Sequence, residues 1–233
     1  TRVEVRGEEV AEDWAERWKR FHVPLLLGGR LYVRPPWEQP AVRPGVHEVV
    51  IDPGQAFGTG THPTTRLCLE LMLDLDASGS FADLGCGSGV LAIAAAKLGW
   101  GPVLGIDHEH EAVAAACANA RANGVTLDIR HGDLLHGGPA PSAPTVVANL
   151  LRPLLEHVAR AGFDGEPPRV LVVGGLLRAE AGAIASAFDA GLGLGERARR
   201  ERGEWAALTL GRAPDEPRHT LQRGWEGSRG HAR

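Results

Sequence analysis

The sequence offers little that could cross-link it, hold a structural metal ion or bury it in a membrane. Cysteine occurs three times in 233 residues, as Cys68, Cys86 and Cys117, and no pair has C-x-x-C spacing. An odd, scattered set supports neither a disulfide framework nor a structural zinc site, and it fits a reducing cytoplasm. No uninterrupted apolar run approaches the roughly 18 residues that a membrane-spanning helix needs. The opening residues, "TRVEVRGEEVAEDW", contain no apolar stretch of the signal-peptide kind and no initiating methionine. No signal peptide is therefore expected, and the N-terminus reads as trimmed or fragmentary. An excess of positive charge is also missing: 25 Lys and Arg stand against 29 Asp and Glu, a formal net charge of −4. That balance argues against a broad nucleic-acid surface. The one basic cluster, Arg197, Arg199, Arg200 and Arg202, is interleaved with Glu196, Glu201 and Glu204 and reads as a solvated strand or loop face.

What is present is glycine, 31 residues of it, and a regular alternation of short apolar runs with helical patterns. Trp14, Trp18 and Phe21 in "EDWAERWKRF" recur at helical spacing and predict a short amphipathic helix whose aromatics pack on the core. "LYVRPPW" and "HEVVID" predict strands, the first ended by Pro35 and Pro36. Leu67, Leu71 and Leu75 mark one face of a helix entered through Pro63. From Phe81 the order is strand "FADL", helix "GVLAIAAAKLG", strand "VLGID", helix "EHEAVAAACANARANG", strand "LDIRHGD", strand "TVVANL", helix "RPLLEHVARAG", strand "RVLVVGG" and helix "RAEAGAIASAFDAG". Gly99 and Gly124 stand where helix C-terminal caps belong. This alternation predicts an α/β fold: a doubly wound, mostly parallel, Rossmann-like sheet with helices on both faces. "EWAALTL", after a charged connection, is expected to join the sheet edge as an antiparallel strand, and residues 213–233 are expected to form a disordered tail.

Two glycine turns raise the functional question. "DLGCGSG", residues 83–89, follows a strand and opens a helix, where backbone N–H groups and the helix dipole collect a negatively charged ligand group. A phosphate-cradling P-loop would need a lysine in G-K-[ST], and none follows Gly89. A dinucleotide fingerprint needs G-x-G-x-x-G, whereas Gly85, Gly87 and Gly89 are spaced G-x-G-x-G. This weakens the dinucleotide without eliminating it. Asp107 ends the next strand 22 residues after Gly85, where a carboxylate can accept hydrogen bonds from both hydroxyls of a ribose. His108 and His110, two apart on one loop, do not converge on a metal without a third ligand, so no metal site is expected.

The pairing of "DLGCGSG" with "GID" resembles the class I methyltransferases that bind S-adenosylmethionine and release S-adenosylhomocysteine. In that class the glycine turn wraps the methionine part of the cofactor and the second-strand acid holds the ribose. The resemblance implies a cofactor shell of Asp83, Gly85, Gly87, Gly89, Asp107 and its neighbour His108, with Asp133 beside the adenine amino group. Asp133 also suits a turn cap. The resemblance narrows at "NLLRPL", taken with "IDPGQAFGTGTHPTTRLCLELM" and "EDWAERW": over residues 12–212 the chain is similar to the ribosomal protein L11 methyltransferase family, bacterial enzymes that methylate amino groups of that ribosomal protein.

In that family the first turn, "AFGTGTHPTT" (residues 56–65), lies over the cofactor. Phe57 is then expected to pack on it, Gly58 and Gly60 to let the backbone approach, and Thr61, Thr64 and Thr65 to supply hydroxyls to the methionine carboxylate or to the helix N-terminus. Asn149, with Leu150 beside it, is expected to form the catalytic position at the end of the fourth strand, accepting a hydrogen bond from the target amine, and Asn149 also borders the cofactor. The motif is N-L-L where enzymes acting on planar bases and amides carry N-P-P-Y, so no aromatic platform is offered and a flexible aliphatic amine is favoured.

A lysine amine, with a reference pKa of about 10.4, must lose a proton before it attacks. With no strong general base evident, positioning of the lone pair with water as proton acceptor is the expected mechanism. The family begins with a small ferredoxin-like domain that grips the substrate. Here residues 1–10 read as its remnant, 11–45 as a linker helix and short strands, and 46–212 as the methyltransferase domain. The implied partner is ribosomal protein L11, free or assembling, with no sequence-specific nucleic acid, no membrane and a monomeric, cytoplasmic enzyme. A shortened relative acting on another protein or small amine, and a cofactor-binding module without catalysis, remain as alternatives.

Overall fold

The structure, a computed structural model, describes residues 23–40, 43–53 and 62–212. The "EDWAERW" helix, Phe57, Gly58, Gly60, Thr61 and the C-terminal tail lie outside the described residues. The chain runs β1 (Leu25–Leu27), β2 (Leu31–Arg34), β3 (His47–Val50), α1 (Pro63–Met72), β4 (Phe81–Leu84), α2 (Val90–Leu98), β5 (Val103–Asp107), α3 (His110–Ala122), β6 (Asp128–His131), β7 (Ala140–Pro141), β8 (Thr145–Asn149), α4 (Arg152–Ala161), β9 (Phe163–Asp164), β10 (Val170–Leu177), α5 (Arg178–Leu192), β11 (Gly195–Arg202) and β12 (Trp205–Gly211).

Seven strands form the main sheet in the order β11-β12-β10-β8-β4-β5-β6. The run β10-β8-β4-β5-β6 is parallel throughout, and β12 is antiparallel to both of its neighbours. This is the doubly wound sheet expected from the alternation. Successive residues of the central strands feed opposite layers: Phe81, Val147 and Val172 pack with α1, α2 and the small β1-β2-β3 sheet, while Ala82, Val146 and Leu171 pack with α4 and α5. β4 is buried along its whole length, which is why its four residues show no polar alternation except Asp83.

Three details differ from the sequence expectation. "EWAALTL" does become an antiparallel strand, β12, but it lies one position inside the edge. The charged run Gly195–Arg202, expected to be a connection, is itself strand β11 and takes the outermost place. An edge strand needs no apolar pattern to be held, and charges there discourage pairing with another chain. The α1 helix stops at Met72, so Leu75 reaches the core from the turn beyond it. The third detail is β1, which pairs with β2 as a hairpin across Gly28 and Gly29, both with positive φ. With β3 they make one sheet across residues 25–50.

Candidate functional site

In an open doubly wound sheet the strand order reverses at one point, and the crevice outside the carboxyl ends of the strands there is the favoured ligand position. Here it lies between β4 and β8, whose registers place Leu84 beside Ala148. Beyond that pair, the glycine turn after β4 and Asn149-Leu150 after β8 come into contact: a Cβ added to Gly85 would stand 2.3 Å from Leu150 Cδ2. Gly85 also has φ +72°, so both its conformation and its closeness to Leu150 require glycine.

The turn is tied down by its own backbone. Gly85 and Cys86 both donate N–H to Ile106 O (2.9 Å each), Gly89 donates to Cys86 O (2.8 Å), and Gly87 donates to Asp107 Oδ2 (2.8 Å). Asp107 Oδ1 accepts a second bond from the Glu109 amide (3.0 Å). Each carboxylate oxygen has a further lone pair, so the side chain is fixed in place and can still accept from a ligand. His108 is exposed, with Nδ1 3.5 Å from Asp107 Oδ1.

Asp83 is treated differently. It is 1% exposed, its Oδ2 accepts one bond from the Ala92 amide (3.0 Å), and its Oδ1 is buried with no partner among the described residues. Burial with a single donor pushes its pKa up to about 7, a direction reinforced by the nearby Asp107. The same burial, with Asp83 close by, raises the thiols of Cys68 and Cys86 far above their ordinary value, so neither is a nucleophile here.

On the other side of the crevice, Asn149 Nδ2 donates to Thr65 Oγ1 (3.3 Å), and Asn149 Oδ1 is buried and unpartnered among the described residues. Thr65, 84 positions earlier on α1, is 2% exposed. The N-cap of α1 is His62 rather than a threonine: its Nδ1 accepts the Thr64 amide (3.3 Å) and lies 2.8 Å from Thr64 Oγ1. Burial lowers the His62 pKa, which keeps the ring neutral and able to accept, and its edge meets Trp205 at 4.9 Å. Leu150 N–H donates to Gly174 O, and Gly175, with φ +78°, brings the end of β10 so close that a Cβ there would lie 2.3 Å from Leu150 O. This Gly174-Gly175 support was not singled out in the sequence. Its only signal is a glycine pair inside an apolar strand.

Asp133 sits at the end of β6, but both of its oxygens serve its own turn. Oδ1 accepts the Leu135 and His136 amides and Oδ2 lies 2.8 Å from His136 Nδ1, which holds the carboxyl below its usual range. No group of three or more His, Cys, Asp or Glu among the described residues is arranged to hold a metal ion. No described helix is long and apolar enough to cross a membrane. A cavity of about 420 Å³ lined by Ser80, Pro144, Arg169 and Arg212 lies before β4, β8 and β10, at the opposite end of the strands from the crevice.

A doubly wound sheet of this strand order, with a glycine turn and a second-strand aspartate at its switch point, defines a class I methyltransferase fold. The chain matches, over residues 1–213, the family model described as ribosomal protein L11 methyltransferase. It is 40% identical over 201 residues to a ribosomal protein L11 methyltransferase of Pelotomaculum thermopropionicum and 40% identical over 200 residues to that of Geobacter metallireducens, covering 84% of this chain and 65% of the relative in both cases. The solved ribosomal protein L11 methylase of Lactobacillus delbrueckii subsp. bulgaricus superimposes with a TM-score of 0.71 at 28% identity, covering 81% of this chain and 98% of that one. The chain therefore belongs to the ribosomal protein L11 methyltransferase family, as its motifs suggested, and spans just under two thirds of the length of the two curated relatives.

Proposed function

We propose that this chain carries the catalytic domain, residues 46–212, of an S-adenosylmethionine-dependent N-methyltransferase that modifies amino groups of ribosomal protein L11, on lysine side chains and the α-amino group. The observation that carries the cofactor choice is the pair of buried acceptor oxygens without a partner among the described residues, Asp83 Oδ1 and Asn149 Oδ1, at the ends of adjacent strands. Buried acceptors without donors are costly unless a ligand supplies the protons. With Asp107 beside them they favour a cationic ligand and disfavour the pyrophosphate of a dinucleotide. When bound, S-adenosylmethionine supplies an electrophilic methyl group on a sulfonium.

The residues of this chain then divide the work. Gly85, Gly87 and Gly89 would let the backbone approach the methionine part and Asp107 would accept from the ribose, with Thr64 and Thr65 beside them on α1. Asn149 Oδ1 would accept a hydrogen bond from the target amine and orient its lone pair for attack, with the sulfonium sulfur as leaving group and water as proton acceptor. Thr65 fixes the Asn149 amide with its oxygen free, and Gly174 and Gly175 fix Leu150 behind it.

In this reading the family's ferredoxin-like domain, rather than residues 46–212, captures the substrate. Transfer of labelled methyl groups to ribosomal protein L11 tests this reading. The chain alone should be slow at low substrate concentration and should recover when a relative's ferredoxin-like domain is fused before Thr1, because tethering raises effective concentration to about the millimolar range. Asn149→Ala should lower turnover with cofactor affinity nearly intact. If fused and unfused forms were inactive on L11 and active on another amine, the substrate assignment would be wrong. Cofactor binding without transfer to any amine would indicate a binding module.

A further inference from the structure

The small sheet that leads into the first turn has an open side at β3, whose ladder partner among the described residues is β2 alone. That side is closed by α3 through two asparagines one helical turn apart. Asn123 acts as a substitute strand: its Oδ1 accepts the Val50 amide (2.8 Å) and its Nδ2 donates to Val50 O (2.6 Å). Asn119 does something else. Its Oδ1 accepts the Asp52 amide (3.1 Å), and its Nδ2 donates to Ser88 O (2.9 Å) inside the glycine turn. Asn119 is 4% exposed and Ser88 is fully buried. Ser88 stands between Gly87, which donates to Asp107, and Gly89, the N-cap of α2. Asp52 stands four residues before the first turn begins at Ala56.

We propose that Asn119 is a positioning residue that couples the exit of β3, at Asp52, to the glycine turn after β4 at Ser88. One amide bonds both segments, 36 residues apart in sequence. A buried amide in an alanine-rich helix costs stability unless its donor and acceptor are both used, and here each is used on a different segment. The glycine turn after β4 thus meets a cofactor already set against the exit of β3, with less ordering left to do on binding. The inference rests on the cofactor reading given above.

Asn123 provides the internal control, because it anchors the same strand from the same helix and its side-chain hydrogen bonds go to Val50 and to Asn119 O (2.8 Å) rather than to the glycine turn. Calorimetric titration of S-adenosylmethionine into the wild-type chain, Asn119→Ala, Asn119→Asp and Asn123→Ala, with thermal unfolding of each, separates the roles. Asn119→Ala should raise the cofactor Kd about tenfold, the upper scale for a lost hydrogen bond, with turnover at saturating cofactor within about twofold. Asn123→Ala should lose at least as much thermal stability with Kd within about twofold. Asn119→Asp keeps the acceptor for Asp52 and removes the donor to Ser88, so it should also raise Kd, and it serves if the alanine variant does not fold. Equal Kd changes in the Asn119 and Asn123 variants, scaling with stability, would overturn the coupling role alone. A wild-type chain that did not bind S-adenosylmethionine would overturn the cofactor reading and this inference together.

Discussion

At the outer edge of the sheet, β11 carries its charges in pairs: Arg199 with Glu196 and Glu201, Arg200 with Asp74, Arg202 with Glu70, most of them well exposed. At the carboxyl ends of β4 and β8 the polar groups are few and buried, and two of their oxygens have no partner among the described residues. The first region shows how charge is made harmless at a surface. The second shows two acceptor oxygens, Asp83 Oδ1 and Asn149 Oδ1, left without a partner among the described residues, at a cost that a ligand would offset. The two aspartates of the site repeat the contrast at smaller scale: Asp107 accepts two amides, whereas Asp83 accepts one and is pushed up to about 7.

The sharpest way to break the comparison is at glycine. Gly175→Ala places a Cβ against Leu150 O at φ +78° and should destabilise the fold by about 3 kcal/mol or more in urea unfolding. Gly203→Ala, at φ +60° in the β11–β12 turn with nothing within 4 Å, should cost only about 1 kcal/mol. Equal losses would mean that the site end is no more tightly built than the edge.

Asp107→Ala should weaken S-adenosylmethionine binding by about 1–3 kcal/mol, the scale of hydrogen bonds to a charged group, and an unchanged affinity in a folded variant would remove it from the site. For Asp83 the expected signature is pH dependence. Its folded-state pKa lies above its unfolded one, so the proton it retains favours the folded state at acid pH, and that contribution is lost as pH rises from about 4 to about 7. Asp83→Asn should flatten the cofactor-free stability profile across that window, read by thermal unfolding at a series of pH values; an unaltered profile would place the proton elsewhere. The smallest effect is expected at the edge, where Arg200→Ala should change stability by no more than about 0.5 kcal/mol and leave cofactor affinity unaltered.

How far the sequence carried this account depends on whether each feature is local. The parallel sheet was readable because buried strands are short apolar runs and covering helices follow them. Asp107 was readable because its distance from the glycine turn is fixed by one strand–turn–helix–strand unit. β11 was not, since an edge strand with both faces wet has the composition of a loop. His62 as the α1 cap was hidden behind the better-known capping threonines beside it. Asn119 and Asn123 are, in sequence, two polar residues of an alanine-rich helix; only the approach of β3 and the glycine turn, set by the fold, gives them their partners. Thr65 was chosen for its place in the first turn, but its bond to Asn149 joins segments that no periodicity relates.

The central claim is that the crevice between β4 and β8 is built to accept from a cationic nucleoside cofactor. Its most direct test is a calorimetric titration of the wild-type chain with S-adenosylmethionine and, separately, with NAD. The account predicts saturable one-site binding of S-adenosylmethionine and no response to NAD. Saturable binding of NAD with none of S-adenosylmethionine would contradict it.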